Sequence, residues 1–307
     1  MISYNHEKYI AQAIESVLIQ KVAFDYELVI GEDCSTDNTR ALVLEYQRCH
    51  PNTIRLLLPK TNLGMMENTL RTFEACQGEF VALLEGDDYW GSVCKLQRQV
   101  DFLNAHPECS MVFSSAFLDR GKESEIQRPI ISKNVFKLED LFTDNFIPTC
   151  SVLYRNLYRG KLPSWIKDAP FGDWPLHVLH ALHGDIGYID EPLAVYRVHS
   201  GGVWTSKPGL AKFQETLAIA KLFSENLPMS ISRESLWCLE RDQRKAIVYR
   251  CLVWGNEPQH GRREVWCLFR SGCWPFDTIK DFLRFLVWFF CPFLGNFFRR
   301  ISLMLKR

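Results

Sequence analysis

The stretch Glu79-Phe-Val-Ala-Leu-Leu-Glu-Gly-Asp-Asp-Tyr-Trp90 runs from an apolar segment of strand length directly into three carboxylates within four residues. Adjacent acids repel one another unless a cation joins them. Open α/β sheets bind ligands outside the carboxyl ends of their strands, so this pattern predicts a divalent cation together with a phosphate. A solvated acidic turn is the alternative interpretation of this stretch taken alone.

A second strand end upstream has the same character. The apolar residues Leu28 to Ile30 run into Glu32 and Asp33, and carboxylates accept hydrogen bonds from base N–H groups and ribose hydroxyls. Ser35 and Thr36 follow, and we expect them to cap the next helix. The two acidic strand ends are therefore predicted to converge on one ligand site.

The surrounding sequence predicts an α/β fold. From Ile2 to about Phe117, apolar runs of strand length alternate with longer segments of helical period, which is typical of a sheet with crossover helices. A polar loop is expected over residues 120–133. The predicted strands are Ile2–Tyr4, Tyr26–Gly31, Ile54–Leu58, Phe80–Glu85, Ser110–Phe117, Ser151–Arg155 and Ile186–Arg197, and the predicted helices include Lys8–Gln20, Asp37–Cys49 and Asp173–His183.

The regular pattern ends near Gly201-Gly202, which predicts a catalytic domain over residues 1–204 and a helical C-terminal region over residues 205–307. The apolar segment Phe282 to Phe298 contains Arg284, Pro292 and Asn296, whereas a membrane-spanning helix needs about 20 apolar residues. It is not expected to span a membrane. Helices of the C-terminal region are predicted at Ala211–Leu227, Arg233–Trp254 and Arg262–Phe269.

Composition restricts the partners. The 307 residues are 47% apolar, and 36 Lys and Arg balance 36 Asp and Glu, so no net field attracts nucleic acid. The 11 cysteines contain no Cys-x-x-Cys pair and are odd in number, which favours free thiols in a reducing compartment. Met1 to Lys8 lack the apolar core of a signal peptide. A cytoplasmic location is therefore predicted.

Together these segments resemble glycosyltransferase family 2, an inverting family with the GT-A fold, which is a Rossmann-like mixed sheet flanked by helices. The resemblance covers residues 1–204. Its motifs are Ser-Tyr-Asn-His-Glu-Lys-Tyr-Ile from Ser3, Glu-Asp-Cys-Ser-Thr-Asp-Asn-Thr from Glu32, Asn-Leu-Gly-Met-Met-Glu-Asn from Asn62, Glu-Gly-Asp-Asp-Tyr-Trp from Glu85, Gly-Asp-Trp from Gly172 and Tyr-Arg-Val-His-Ser-Gly-Gly from Tyr196.

The resemblance implies a nucleotide-sugar donor. Asp33 corresponds to the acid that contacts the nucleotide base, and Ser3 and Asn5 line the same pocket at the end of the first strand. Gly64 permits a positive φ or a close backbone approach to the ligand. The remaining donor-side candidates are Glu32, Asn62, Asp87 and Arg197.

The same resemblance implies a Mn²⁺ or Mg²⁺ site in the Asp-x-Asp-type motif. Asp88 is the predicted metal ligand, and Asp87 is its neighbour on the metal or the ribose. Glu85 stands where many members have Asp. Arg197 and His199 are expected near the diphosphate or the metal, with a surface Arg and a satisfied His as the alternatives.

On the acceptor side, Asp173 resembles the general base that takes the proton of the attacking hydroxyl. Gly172 replaces the Glu often found before it. The alternative is that Asp173 only caps the helix that follows. Trp90 and Trp174 are candidates for stacking on a sugar ring, with packing as the alternative.

The sequence thus predicts an inverting glycosyltransferase of surface polysaccharide, lipopolysaccharide or other glycan assembly, with a glycan or lipid-linked acceptor. The alternative is a catalytically impaired nucleotide-sugar-binding or assembly protein, because only Met1 and Ile2 precede Ser-Tyr-Asn where relatives have a longer apolar strand. A nucleotidyltransferase is disfavoured because the Gly-rich, basic N-terminal loop of such enzymes is missing.

The C-terminal region is also expected to contact the inner membrane peripherally. Its aromatic residues supply apolar area, and its basic residues suit anionic head groups. Packing of the aromatics on the catalytic domain or a second subunit is the alternative. These residues are Trp274, Phe276, Phe282, Phe285, Trp288, Phe289, Phe290, Arg299, Arg300, Lys306 and Arg307.

Overall fold

Strands and helices alternate through the first two thirds of the chain and helices follow, in a computed structural model that describes residues 1–121, 124–129, 133–159, 161–254, 258–272 and 274. Contacts divide the chain into two units, Met1–Thr205 and Ser206–Arg307. The first unit contains all the described strands.

Three parallel strands form the first sheet, in the order β1 (Ile2–Ser3), β2 (Leu28–Glu32) and β3 (Ile54–Leu57). All residues of β2 are buried, as expected for a parallel strand covered on both faces. Helices follow the three strands in turn: α1 (Ile10–Leu18), α2 (Thr39–Cys49) and α3 (Met65–Ala75).

A second sheet of seven strands is mixed. Its main path runs in the order β4, β9, β6, β10 and β5, while β7 pairs with β6 and β8 pairs with β10. The long strands β6 and β10 are parallel, and the other pairs are antiparallel. The strands are β4 (Phe80–Ala82), β5 (Tyr89–Trp90), β6 (Cys109–Asp119), β7 (Ser124–Gln127), β8 (Val135–Phe136), β9 (Leu153–Arg155) and β10 (Asp185–Arg197).

Helices and short 3₁₀ turns lie between these strands. They are α4 (Lys95–Ala105), α5 (Leu138–Leu141), the 3₁₀ turns Thr149–Ser151 and Ser164–Asp168, and α6 (Asp173–Ala181). With a mixed sheet and flanking helices, the predicted fold class is confirmed.

The two sheets meet at the acidic motif. Ile2 pairs with Glu85 in an isolated parallel bridge. The Ile2 N–H donates to Leu84 O at 3.3 Å, and the Gly86 N–H donates to Ile2 O at 2.8 Å. The acids therefore lie where the N-terminal strand pairs with the segment that follows β4.

Two local predictions around the acidic strand ends were wrong. The strand predicted over Phe80–Glu85 ends at Ala82, because the chain turns and the Asp88 N–H donates to Glu85 O at 3.1 Å. Ser35 and Thr36 do not cap α2, which begins at Thr39. Both are instead engaged by Asn5, since the segment after β2 folds back onto the N-terminal loop.

The core of the first unit fills the space between the sheets and their helices. Apolar residues of α1 and α4 pack with strand residues in one cluster of buried side chains. Burial of such side chains stabilises the fold by roughly 1.5–3 kcal/mol each. Members from these elements are Ile10, Ile14, Val17, Leu28, Ile30, Ile54, Leu96, Val100, Leu103, Val112, Leu153 and Ala194.

The described part of the second unit is a set of helices. Leu217, Ile247 and Cys251 form a small buried cluster. Arg244 pairs with Glu240 and Glu264 and so ties two helices together. The helices are α7 (Gly209–Asn226), α8 (Arg233–Trp254) and α9 (Pro258–Arg270).

Within the described residues, none of the helices has the length and apolarity that crossing a bilayer demands. The apolar segment Phe282 to Phe298 and the basic residues after it lie outside the described residues.

Candidate functional site

The acidic motif is packed tightly against the N-terminal strand. A side chain at Gly86 would place its Cβ 2.8 Å from both Ser3 Oγ and His6 Nδ1. Cβ atoms do not approach other heavy atoms this closely, so the motif needs glycine here. Ser3 and His6 are thereby brought against the carboxylates.

Asp88 points into the protein. It is only 1% exposed, and its Oδ1 accepts the Arg197 N–H at 2.8 Å. Its Oδ2 is buried without a hydrogen-bond partner. Burial, followed by repulsion from Asp87, raises the pKa of Asp88 well above its usual value. Asp88 as a metal ligand stays a prediction.

Asp87 is the more accessible acid of the pair, and two imidazoles face it. Asp87 Oδ2 lies 3.0 Å from His199 Nε2 and 3.7 Å from His6 Nε2. Burial lowers the pKa of His6, while the Asp87 charge opposes that shift. His6 was absent from the predicted site, although it lies one residue beyond the predicted Asn5.

The fit to a divalent cation is incomplete from protein groups alone. The structurally described residues contain no group of three His, Cys, Asp or Glu side chains arranged to hold a metal ion. Carboxylate and imidazole ligands nevertheless suit Mn²⁺, and such ions take further ligands from substrate phosphates. Asp87 and His199 fit a cation completed in that way, and the orphaned Asp88 Oδ2 lies in the same motif.

The Arg197 side chain is held by two aromatic rings and two hydrogen-bond acceptors. Its guanidinium lies over the rings of Tyr89, at 4.4 Å, and Tyr9, at 5.2 Å. It also donates to Asp87 O and Gln12 Oε1. The protein thus presents a fixed cation beside Asp87, which is a suitable arrangement for receiving an anionic group.

Asp33 joins two of the predicted nucleotide-side loops. Its Oδ1 and Oδ2 accept the N–H groups of Leu63 and Gly64, each at 2.9 Å. Asn62 Nδ2 donates to Asp33 O at 3.0 Å. Gly64 has a φ of +88°, a left-handed conformation that glycine adopts easily. Asp33, Asn62 and Gly64 therefore form one assembly, in which Asp33 holds the loop.

Asn5 is the link between the N-terminal loop and the segment after β2. Its N–H donates to Ser35 Oγ at 2.9 Å, and its Oδ1 accepts the Thr36 N–H at 2.8 Å. Ser3 contributes through its backbone, since Ser3 O accepts the Asp33 N–H at 3.0 Å. The Ser3 hydroxyl is buried and has no partner.

Glu32 is fully buried and holds the segment that follows β2. Its carboxylate pairs with Arg40 and accepts the Ser35 N–H at 2.6 Å. Because both oxygens are used by protein groups, the geometry favours a supporting role for Glu32 over direct contact with a ligand.

Asp173 is the first residue of α6 and is fixed by three donors. Its Oδ2 accepts the Thr149 hydroxyl at 2.9 Å and Asn145 Nδ2 at 3.3 Å, and its Oδ1 accepts the Trp174 N–H at 2.7 Å. Gly172 is the residue before the helix. Asp173 is thus both a helix-start residue and a carboxylate with a defined orientation.

Asp173 and the acidic motif both act electrostatically on Glu85. Burial raises the pKa of Glu85 well above its usual value, and the charges of Asp87, Asp88 and Asp173 add to that shift. Asp173 therefore lies near enough to the acidic motif for its charge to influence the Glu85 carboxyl.

The two tryptophans predicted to stack on a sugar are packing residues. Trp90 and Trp174 are both buried, and their indole N–H groups donate to Cys150 O and Leu141 O, each at 3.0 Å. Their rings face the core, so the stacking prediction was wrong.

Comparisons with known proteins identify related chains. The family model of glycosyl transferase family 2 matches residues 1–160. An uncharacterized protein of Mycobacterium tuberculosis is 39% identical over 223 residues, which cover 70% of this chain and 62% of that protein. The chain thus spans less than two thirds of this relative's length. The putative teichuronic acid biosynthesis glycosyltransferase TuaG of Bacillus subtilis is 26% identical, covering 68% of this chain and 82% of TuaG.

Solved structures share the fold. Staphylococcus aureus TarS 1-349 in complex with UDP-GlcNAc matches with a TM-score of 0.56 and 17% identity, over 89% of this chain and 91% of that one. The mannosyltransferase PcManGT of Pyrobaculum calidifontis, in complex with GDP-Man and Mn²⁺, matches with a TM-score of 0.56 and 14% identity, over 89% of this chain and 75% of that one. Because the family model covers more than half of its residues, the chain belongs to glycosyl transferase family 2.

Proposed function

We propose that this protein transfers a sugar from a nucleotide-diphosphate donor to an acceptor hydroxyl with inversion at the anomeric carbon. The observation that carries the proposal is the arrangement of Asp173 near an acidic motif whose accessible carboxylate, Asp87, faces His199 and lies beside Arg197. A proton acceptor and a binding site for an anionic leaving group are the two parts that such a displacement requires.

Asp173 acts as the general base in this mechanism. Its carboxylate takes the proton of the acceptor hydroxyl while that oxygen forms a bond to the anomeric carbon. The bond from the anomeric carbon to the diphosphate oxygen breaks, and its electron pair leaves with the nucleotide. Thr149 and Asn145 hold Asp173 in orientation, so little reorganisation is needed when the acceptor arrives.

Arg197 and the acidic motif serve the leaving group. The fixed guanidinium of Arg197 offsets negative charge that develops on the diphosphate. Asp87 and His199 would hold Mn²⁺ or Mg²⁺, with Asp88 as the further predicted ligand. A bound divalent ion supplies Lewis-acid stabilisation of phosphate oxygens.

The nucleotide is proposed to lie along the ends of β1 and β2 and the loop after β3. Ser3 and Asn5 line one side, and Asn62 and Gly64 line the other, with Asp33 joining them. Support for a nucleotide-sugar donor comes from the TarS and PcManGT complexes, which contain UDP-GlcNAc and GDP-Man.

The cellular setting proposed is glycan assembly, with surface polysaccharide or lipopolysaccharide as the product and a glycan or lipid-linked sugar as the acceptor. The similarity to TuaG, a putative teichuronic acid biosynthesis glycosyltransferase, supports this setting. We further propose a cytoplasmic location with peripheral contact to the inner membrane through the C-terminal region.

Replacement of Asp173 by Asn tests the proposal. The amide cannot accept the proton, so transfer should fall by at least about 100-fold, whereas donor binding should persist. The matched control is Asp168→Asn, a nearby exposed residue of the same type, which should transfer as the wild type does. Nucleotide release and product formation are measured over a panel of nucleotide sugars with Mn²⁺ or Mg²⁺.

Two outcomes would count against the proposal. Turnover that survives Asp173→Asn would remove Asp173 as the base. A wild-type protein that binds nucleotide sugars but never transfers from any of them would instead favour a nucleotide-sugar-binding protein.

A further inference from the structure

An aromatic pair that includes Phe171, two residues before Asp173 in the chain, is used by no step of the proposed mechanism. The rings of Phe171 and Trp204 meet edge to face, with centroids 5.1 Å apart and an interplanar angle of 63°. Trp204 is 38% exposed. Within the described residues of the first unit, Tyr4 and Trp204 are the only exposed aromatic side chains.

The backbone holds Phe171 close to the proposed base. Phe171 precedes Asp173 by two residues, and Gly172 between them packs against α3. A Cβ on Gly172 would lie 3.3 Å from Thr69 Cγ2 and 3.4 Å from Met66 Cε. The backbone that leads from Phe171 into the base is therefore held against α3.

The loop that carries Trp204 also reaches the donor side. His199 O accepts the Gly202 N–H at 3.1 Å and the Thr205 hydroxyl at 3.2 Å, which folds residues 199–205 into a compact loop. His199, at one end of this loop, faces Asp87 at 3.0 Å. The loop thus links the proposed leaving-group site to the aromatic pair beside Asp173.

The chemistry of the pair suits a sugar ring. Two apolar rings packed edge to face form an angled apolar wall, and the exposed part of Trp204 offers a surface complementary to the C–H face of a pyranose. Carbohydrate sites combine such apolar walls with a few placed polar groups, and Asp173 is the polar group here. The two tryptophans that the sequence predicts for stacking on a sugar, Trp90 and Trp174, are buried and do not face solvent.

We propose that Phe171 and Trp204 form an acceptor subsite that packs against the C–H face of a pyranose ring, with one hydroxyl of that ring directed to Asp173. The inference rests on the proposed transferase function. It places the acceptor sugar on the Asp173 side, because Asp87 and Arg197 occupy the side assigned to the donor diphosphate.

Ligand-observed saturation-transfer NMR tests the subsite without the natural acceptor. The probes are the methyl glycosides of glucose, galactose and N-acetylglucosamine, and donor binding is followed in parallel with UDP-GlcNAc and GDP-Man. Trp204→Ala should weaken glycoside binding by roughly tenfold and leave donor binding unchanged. Trp204→Phe, which keeps an aromatic ring, should retain most of the glycoside signal.

The matched control is Trp237→Ala, which removes another exposed tryptophan in the second unit and should bind the glycosides as the wild type does. Phe171→Leu provides a second test if Trp204→Ala fails to fold, and it should also weaken glycoside binding.

Each remaining outcome is decisive. Undiminished glycoside binding by Trp204→Ala overturns the subsite. A wild-type protein that binds a donor but gives no glycoside signal also overturns the subsite and leaves the transferase proposal standing. If the wild type binds neither donors nor glycosides, the proposed function and the subsite fail together.

Discussion

At the scale of single residues, the orientation of Asp173 depends on a hydroxyl from the 3₁₀ turn Thr149–Ser151. Thr149→Val removes this donor and keeps the side-chain shape, so the carboxylate gains rotational freedom. A hydrogen bond to a charged group contributes roughly 1.5–3 kcal/mol, and we expect kcat/KM for transfer to fall at least about tenfold. Steady-state kinetics with a saturating donor measure the effect.

Thr149→Ser is the control for that prediction, because serine retains the donating hydroxyl. It should recover most of the lost activity. Equal losses in Thr149→Val and Thr149→Ser would show that the methyl group, and not the hydrogen bond, is what matters at this position.

Gly86 yields a prediction about stability. Gly86→Ala places a methyl group 2.8 Å from Ser3 Oγ and His6 Nδ1, so these side chains or the backbone that carries them must shift. Overpacking of this kind costs about 1–3 kcal/mol, which urea denaturation detects as a lower midpoint. Gly91→Ala is the milder comparison, since its nearest neighbour is Val195 Cγ2 at 3.2 Å. A midpoint for Gly86→Ala equal to that of the wild type would contradict the packing.

The sequence predicts some of these residues and misses others for a physical reason. Asp33 and Asn62 follow two strands that are neighbours in a parallel sheet, so their proximity follows from topology. Thr149 and Trp204 carry no local pattern, and their contacts with Asp173 and Phe171 join distant segments. Whether an aromatic ring faces the core is likewise decided by packing, which explains the error at Trp174.

At the scale of elements, α4 carries a buried lysine. Lys95 is fully buried, its Nζ donates to Gln99 Oε1 at 2.7 Å, and it lies 4.4 Å from the centre of the Trp90 ring. Burial lowers the pKa of Lys95 to about 7. The helix therefore packs against the core with a largely neutral amine in mildly alkaline solution.

This lysine makes stability depend on pH in a defined direction. Between pH 7 and about 10.4 the unfolded chain keeps the Lys95 proton and the folded chain does not. The unfolded state binds more protons there, so the free energy of unfolding rises with pH by up to about 1.4 kcal/mol per unit. Below pH 7 both states bind the proton, and the penalty no longer grows.

Urea denaturation of the wild type and Lys95→Met from pH 7 to pH 9.5 measures this contribution. Methionine keeps the length of the side chain and removes the titration. As pH rises, the free energy of unfolding of the wild type should increase relative to that of Lys95→Met. A difference that is constant across this range would show that Lys95 is protonated in the folded protein.

Helices and strands were predicted correctly where burial gives their apolar residues a regular spacing. The prediction failed where only backbone hydrogen bonds form the strand. The stripe of Ile10, Ile14 and Val17 predicts α1, and the structure contains it at Ile10–Leu18. Residues 120–133 were expected to be a loop, yet Ser124–Gln127 forms β7 against β6. Its side chains are mostly exposed, so no alternation of apolar residues marks it as a strand.

At the scale of the whole molecule, the positive and negative charges balance, so local surface charge matters more than net charge. With 36 basic and 36 acidic residues, long-range attraction to any charged partner is weak. We therefore expect local clusters, such as Asp87 with Arg197 and the basic residues beside exposed aromatics in the second unit, to matter more for binding than net charge does.

One face of α9 has the composition of a membrane-contacting surface. Val265 and Leu268 are buried, whereas Trp266 is 60% exposed and Phe269 is 40% exposed. Arg263 and Arg270 are exposed on the same helix. Aromatic side chains that enter the interface, together with arginines that meet anionic head groups, are typical of peripheral helices.

We therefore expect the intact protein to float with vesicles that contain anionic phospholipid, and the double variant Trp266→Ser/Phe269→Ser to float much less. Higher salt should weaken wild-type binding because it screens the arginines.

Met229→Ser/Trp237→Ser removes exposed apolar side chains elsewhere in the second unit and is the matched control. If both double variants float as the wild type does, α9 is not the contact surface; if both lose binding equally, the effect is a general loss of apolar area. Selective loss in the α9 variant would show that this face of α9 contacts the anionic membrane surface.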